Sequence, residues 1–177
     1  MLTGNEIIRQ VKKGSILIDP FVPSQVNPNS YNLRLGTRIL VYKDSVLDFA
    51  KKPETEEIII DKTGFQLEPQ RLYLGSTMEV VGSDCFVPVL NGRSSIGRLG
   101  IDIHKTAGFG DLGFFGVWTL EIVATQPVII YPGIEICQVA FYKPEGETTI
   151  QYKGKYTGAR VVEASKLYRE VKSTTPD

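Results

Sequence analysis

Cysteine, histidine and tryptophan are scarce in this chain: its 177 residues hold two cysteines, one histidine and one tryptophan. Cys85 and Cys137 are far apart and form no C-x-x-C pair. That argues against a disulfide framework and for a reduced, cytoplasmic compartment. One histidine without a cysteine cluster gives a zinc site poor support. Charge of neither sign is in excess, with 20 Lys plus Arg against 20 Asp plus Glu. A general nucleic-acid binder usually carries a basic surplus, so that class loses weight. Any positive charge that meets an anionic ligand must be local. Apolar runs such as Val128 to Tyr131 are far too short to span a bilayer. The start, MLTGNEIIRQ, lacks the apolar stretch of a signal peptide. The expectation is a cytoplasmic protein with no membrane and no nucleic-acid partner.

What is present suffices for one domain with a real core. Hydrophobic residues make up 42% and charged residues 23%, ordinary values for a globular chain. Thr3 and Glu6 have the T-x-x-E spacing of a capping box. Ile7, Ile8 and Val11 supply an apolar face and Gly14 a stop, so a short structural helix opens the chain. From Ile16 onward short β-type runs take over. They include Tyr31 to Leu35, Arg38 to Tyr42, Glu57 to Ile60, Arg71 to Leu74, Met78 to Val81 and Phe86 to Leu90. Val117 to Val123, Val128 to Tyr131 and Ile134 to Tyr142 follow. Gly, Pro, Asn and Asp punctuate them, a pattern of β-sandwiches and distorted barrels. No internal repeat or linker interrupts the series. Charged residues 51–57 read as an exposed loop. The tail from Gly146 is polar, with an expected helix over Glu163 to Val171. Its composition suits both a mobile lid and a disordered tail.

The segment GRSSIGRLG, residues 92–100, holds two arginines, two serines and three glycines. Guanidinium forks and hydroxyls suit phosphate oxygens, and glycines let the backbone come close to a ligand. The G-x-x-x-x-G-K-[ST] spacing of a P-loop is absent. GRSS alone also reads as a turn leading into a helix cap. Further on, alternation along Val117 to Val123 puts Val117, Thr119, Glu121 and Val123 on one face. Trp118, Leu120 and Ile122 lie on the other. A glutamate with apolar neighbours suits a proton shuttle, while a lone acid on a strand is more commonly a solvated one. His104, the single histidine, is more commonly structural than catalytic.

Taken in order, three stretches carry a resemblance. They are GRSSIGRLG, then His104-Lys105-Thr106-Ala107-Gly108-Phe109-Gly110-Asp111, then Thr119-Leu120-Glu121. Asn27-Pro28-Asn29-Ser30-Tyr31-Asn32-Leu33-Arg34-Leu35-Gly36 extends them upstream. Tyr131-Pro132-Gly133 with Gln138, and Tyr152 with Lys155-Tyr156, extend them downstream. Together they resemble the deoxycytidine triphosphate deaminase family, which is related to the trimeric dUTP pyrophosphatases. The resemblance runs nearly the length of the chain and is most specific in its centre.

It implies a mainly β fold: a distorted, dUTPase-like (β-clip) barrel with a short N-terminal helix. Residues 1–177 would form a single domain, with 146–177 as a mobile lid. It implies a homotrimer with active sites between subunits. Arg93, Ser94, Ser95 and Arg98 would bind the triphosphate of dCTP, with Mg²⁺ carried on the phosphates and no zinc. Ser94 and Arg98 would also help place the attacking water. The Ala107 backbone would face the base, and Asp111 would hold the sugar hydroxyl and, in pyrophosphatase-like members, also the water near the phosphate. Thr119 and Leu120 would meet the nucleotide beside Glu121, the general acid/base. Gln138 would orient the nucleotide, and Tyr152 and Lys155 would close over the phosphates. Inhibition by dTTP is a further family expectation. The zinc deaminase signature, H-x-E with P-C-x-x-C, is missing, so water would be activated without a catalytic zinc.

Family members with Ala-Gly-Phe before the Asp, as in Ala107-Gly108-Phe109, tend to form dUMP, diphosphate and ammonia, a supply for thymidylate synthesis. A small Gly108 would leave room for a hydrolytic water. The alternatives are a deaminase that stops at dUTP, a dUTP pyrophosphatase with no use for Glu121, and a non-catalytic nucleotide-binding module. Three residues depart from the family pattern. Leu112 stands where a proline is usual, Gly110 where a β-branched residue is common, and Ala159 where many members have a polar lid residue.

Overall fold

The structure is a computed structural model that describes residues 1–174. Helix α1 spans Gly4–Lys13. The Thr3 hydroxyl caps it by accepting the Glu6 N–H at 3.4 Å. The Glu6 carboxylate turns the other way and accepts from Arg9 Nη2 at 2.8 Å and Gln10 Nε2 at 2.6 Å. Its hydrogen bond with Arg9 holds the Glu6 carboxyl below its usual range. Gly14 ends the helix at φ 76°, the left-handed region that suits glycine.

The strands that follow are β1 (Leu17–Asp19), β2 (Tyr31–Arg34), β3 (Arg38–Tyr42), β4 (Thr55–Ile59), β5 (Phe65–Leu67) and β6 (Tyr73–Gly82). Then come β7 (Val87–Gly92), the one-turn helix α2 (Ser94–Gly97), β8 (Ile101–Asp102), β9 (Phe115–Ala124), β10 (Val128–Ile130) and β11 (Glu135–Tyr142). Helix α3 (Tyr168–Thr174) closes the described chain.

Among the described residues the strands form three sheets. The largest has the order β4-β3-β6-β9-β8, with β1 also on β6. A second joins β2, β11 and β7, and a third joins β5 and β10. All of these strand pairings are antiparallel. The mainly β expectation stands, and the ladders stay in three sheets rather than in one continuous closed barrel. Side chains from all three pack into one cluster, with Tyr31, Leu33, Leu67, Tyr73, Leu120, Ile122 and Phe141 at its centre. Burying such side chains stabilises the fold by about 1.5–3 kcal/mol each.

Three expectations shift in the structure. Thr55, Glu56 and Glu57, at the end of the expected exposed loop, open β4 and pair with β3. The runs Arg71 to Leu74 and Met78 to Val81 form one strand, β6, because Gly75 and Ser76 continue the ladder to β9. A register irregularity between Ser76 and Val80 then leaves Met78 outward and Glu79 fully buried. Isolated burial of that carboxylate would be costly. Arg34 answers it twice, with Nε to Oε1 at 2.6 Å and the main-chain N–H to Oε2 at 2.9 Å. The expected helix over Glu163 to Val171 starts later, at Tyr168. The main-chain N–H groups of Glu163 and Ser165 are committed to the body of the protein, donating to Thr119 Oγ1 at 3.3 Å and Tyr42 Oη at 3.1 Å. No helix among the described residues is long and apolar enough to cross a membrane.

Candidate active site

Strand β9 carries the candidate acid. Its burial alternates as the sequence indicates: Trp118, Leu120 and Ile122 are buried, while Thr119, Glu121 and Val123 are half-exposed. Pairing with β6 fixes this register, with Glu121 opposite Leu74 and Thr119 opposite Ser76. The loop after β8 lies beside the acid. Glu121 N–H donates to Ile103 O at 3.0 Å, and Lys105 N–H donates to Glu121 Oε2 at 2.8 Å. One carboxylate oxygen is therefore held by the main chain.

The loop continues to Asp111 and is pinned to β7. Leu90 N–H donates to Gly108 O at 2.7 Å, and Gly110 N–H donates to Pro88 O at 2.8 Å. Gly108 permits close approach: a Cβ there would stand 3.0 Å from Leu90 O and 3.1 Å from His104 Nε2. Its missing side chain thus serves packing within the chain, and Gly108 does not line the cavity described next. The absent side chain at Gly110 also has a physical cause. A Cβ there would fall 2.6 Å from Trp118 Cζ2 and 2.8 Å from Pro88 Cγ. The indole fills the space that a β-branched side chain would need. Leu112 adds a contact through its backbone, where its carbonyl accepts Tyr152 N–H at 2.7 Å.

Ala107, Asp111, Thr119 and Glu121 line a cavity of about 770 Å³, within the ordinary range for small-molecule sites. Its opposite wall is the tail. Tyr152 and Lys155 face it, with the Tyr152 ring edge-on to Phe114 at 5.8 Å between centroids. The tail is stitched to β9, since Val117 N–H donates to Ala159 O at 2.9 Å and Gly158 N–H to Phe115 O at 3.2 Å. Ala159 thus joins the tail to the strand through its backbone. Lys155 is ion-paired with Glu170, which raises the Lys155 pKa above its ordinary value.

The remaining expected residues lie elsewhere. Arg93 follows β7, and Ser94 and Ser95 form the first turn of α2 with Arg98 directly after it. None of these four lines the Glu121 cavity. Ser94, Ser95 and Arg98 are exposed. Arg93 Nη1 donates to Glu135 O at 2.7 Å. Gln138 bridges two elements, with Nε2 on Gly92 O at 3.0 Å and Oε1 accepting from Ser30 Oγ at 2.7 Å. The Leu120 side chain is in the core and fully buried, facing away from Glu121. Phe109, Phe114, Trp118, Tyr156 and Arg169 also line the cavity, and the sequence reading gives none of them a site role. The density of aromatics between Phe109 and Trp118 is the signal that could have found the first three.

The geometry thus joins a carboxylate, a second acid and part of the C-terminal tail around one cavity, with an exposed Arg/Ser segment nearby in sequence. The profile of the dCTP deaminase-like family matches residues 1–144. A protein of Hathewaya histolytica named dCTP deaminase, dUMP-forming, is 49% identical over 170 residues, covering 96% of this chain and 98% of that one. A protein of the same name from Clostridium acetobutylicum is 48% identical with the same coverage. Among solved structures, 2'-deoxycytidine 5'-triphosphate deaminase from Agrobacterium tumefaciens superposes with a TM-score of 0.66 at 21% identity. The match covers 81% of this chain but only 48% of that protein, and at this identity it speaks for the fold alone. With its profile match and two near-full-length relatives at almost half identity, this chain belongs to the dCTP deaminase-like family.

Proposed function

We propose that the protein deaminates dCTP and cleaves the triphosphate, giving dUMP, diphosphate and ammonia. The observation that carries this reading is the Glu121 carboxylate, anchored through one oxygen by Lys105 N–H and lining a cavity shared with Asp111 and Ala107. The dUMP-forming names of the two relatives support the second half of the reaction.

Glu121 takes a proton from a water that attacks C4 of the cytosine. It delivers that proton to the ring nitrogen N3, then carries the proton of the new C4 hydroxyl to the exocyclic amino group, and the bond from C4 to that amino nitrogen breaks as C4=O forms and ammonia leaves. A second water then attacks the α-phosphorus, and diphosphate departs. General acid–base catalysis typically contributes about 10²–10⁴-fold, and orientation of the water and base adds to it. Ala107 presents its backbone to the base. Asp111 holds the sugar hydroxyl and the second water, with Thr119 and the Leu120 backbone beside Glu121.

Arg93, Ser94, Ser95 and Arg98 form the phosphate cradle, with Ser94 and Arg98 also placing the first water and Gln138 orienting the nucleotide. One chain does not bring this cradle to its own Glu121 cavity. A homotrimer would supply the cradle from a neighbouring subunit, and the exposure of Ser94, Ser95 and Arg98 is in keeping with that. Tyr152 and Lys155, in a lid drawn from residues 146–177, close the site. Residues 175–177 of that lid lie outside the described residues. The chain reads as one domain, because a single core cluster serves its three sheets.

No three His, Cys, Asp or Glu side chains among the described residues gather as a metal cage. Mg²⁺ would arrive on the phosphate oxygens, a common mode for this ion, and would neutralise charge on the phosphates. dTTP, a pyrimidine deoxynucleotide with the same anionic tail, would compete for the cradle. A cytoplasmic setting accords with the free thiols of Cys85 and Cys137. Incubating the pure protein with dCTP and Mg²⁺ and separating the nucleotides over time tests the reading. dUMP with ammonia is expected. Accumulation of dUTP alone would select the single-step deaminase, and cleavage of dUTP with dCTP untouched would select the pyrophosphatase.

A further inference from the structure

The motif Asn27 to Gly36 resembles its family counterpart yet contributes nothing to the Glu121 cavity. Its side chains lead to the phosphate cradle instead. Strand β11 lies between β2 and β7, with Gln138 opposite Asn32 on one side and Asn91 on the other. Across that strand runs a chain of polar contacts. Asn27 Nδ2 donates to Asn32 Oδ1 at 2.6 Å, and Asn32 Nδ2 donates to Glu135 Oε2 at 2.7 Å. The same Glu135 oxygen lies 3.2 Å from Arg93 Nη2, and the Glu135 carbonyl accepts from Arg93 Nη1 at 2.7 Å. Gln25 Nε2 holds Asn32 from behind, donating to its carbonyl at 2.7 Å. Gln25 and Asn32 are both buried, at 3% and 5% exposure, so the brace is fixed in the body of the protein.

We infer that Glu135, braced by Asn32, is a positioning residue that orients the Arg93 guanidinium for the triphosphate. This rests on the proposed role of Arg93 in the cradle. Glu135 contacts both terminal nitrogens of Arg93, through its carboxylate and through its carbonyl. A guanidinium carries five N–H donors in a fixed plane, so engaging its two terminal nitrogens on one side sets the direction in which the other donors point. Such pre-orientation removes an ordering cost at the moment of binding. The opposing effect is electrostatic, because the carboxylate subtracts positive charge from the place that meets an anion. The two effects predict opposite signs. If orientation dominates, removing the charge of Glu135 weakens dCTP binding; if charge dominates, it tightens it.

The test is steady-state kinetics of dCTP deamination by the full-length protein carrying Glu135→Gln, Asn32→Ala, Arg93→Ala or Arg93→Ala with Glu135→Gln. Each variant is first checked by thermal unfolding. Glu135→Gln is expected to raise KM by about 5-fold, within the range of coupling between contacting residues, with kcat changed by less than about 2-fold. Asn32→Ala, which leaves both Arg93 contacts in place but removes the brace, is expected to raise KM by about 3-fold. Should it not fold, Glu135→Gln decides alone. In the Arg93→Ala background, Glu135→Gln is expected to add nothing further. An unchanged or lower KM for Glu135→Gln, or an equal rise with Arg93 absent, overturns the inference while leaving the role of Arg93 intact. An unchanged KM for Arg93→Ala removes that role and the inference with it.

Discussion

Lys105 gives its main-chain N–H to Glu121 Oε2 at 2.8 Å, across sixteen residues of sequence. A backbone donor fixes the carboxylate without adding a side-chain charge of its own. The other oxygen is left to meet a water and a base. Glu121→Gln keeps the shape and the cavity but cannot accept a proton. Ammonia release is therefore expected to fall by about 10²–10⁴-fold, while dCTP binding measured by calorimetry stays within a few-fold. Turnover at the parent rate would remove Glu121 from the chemistry.

Trp118 and Gly110 form a complementary pair. Gly110→Val would drive a branched side chain into the indole and Pro88. Overpacking of this kind typically costs about 1–3 kcal/mol. The midpoint of thermal unfolding should drop by several degrees, and Trp118→Ile in the same chain should restore part of it by opening the space. No recovery in the double variant would mean that Pro88, rather than the indole, sets the limit.

The β-strand pattern was legible where one face meets the core and the other does not. Val117 to Val123 is the clearest case, since period-two alternation assigned Glu121 and Leu120 to opposite faces. Very short strands were not legible. β8 has only two residues, Ile101 and Asp102, too few to show a period. β6 reads as two runs in the sequence, yet a buried central strand tolerates glycine where neighbouring side chains close in. The Cβ position at Gly75 is already crowded by Ile122, Leu35 and Ile39. The Arg/Ser segment and Glu121 stand out in the sequence as residues, but their relative placement does not. Spacing along one chain cannot show that Arg98 lies off the cavity that Glu121 lines.

The tail covers the cavity without sharing the main core. The core cluster draws on residues from Ile7 to Phe141, while Val162 is buried outside it. A chain ending at Pro144 should therefore still unfold cooperatively. It would lose Tyr152, Lys155 and the backbone ties to Val117 and Leu112. Its KM for dCTP should rise by about tenfold or more, equivalent to about 1.4 kcal/mol of lost binding. A truncated chain with the parent KM would show that the tail is not a lid.

Three groups make the protein sensitive to alkali. Burial pushes the Cys137 thiol far above its ordinary 9.0, and burial also raises the Tyr31 phenol. The hydrogen bond to Glu170 raises Lys155. In each case the folded state holds its proton more tightly than the unfolded one. The stabilisation is complete below the unfolded pKa and is lost as pH climbs towards the folded pKa. Cys137 has the lowest starting point, so stability should begin to fall near pH 9, at up to about 1.4 kcal/mol per pH unit for the buried thiol, while solvent screening leaves Lys155 a smaller part. Cys137→Ala lowers stability at every pH through the small cavity it leaves, but it removes this first loss. Its decline should start about one pH unit later, where Tyr31 begins to contribute. Denaturant unfolding of both proteins between pH 7 and pH 11 provides the comparison. A decline that starts at the same pH in the two proteins would exclude the buried thiol as its origin.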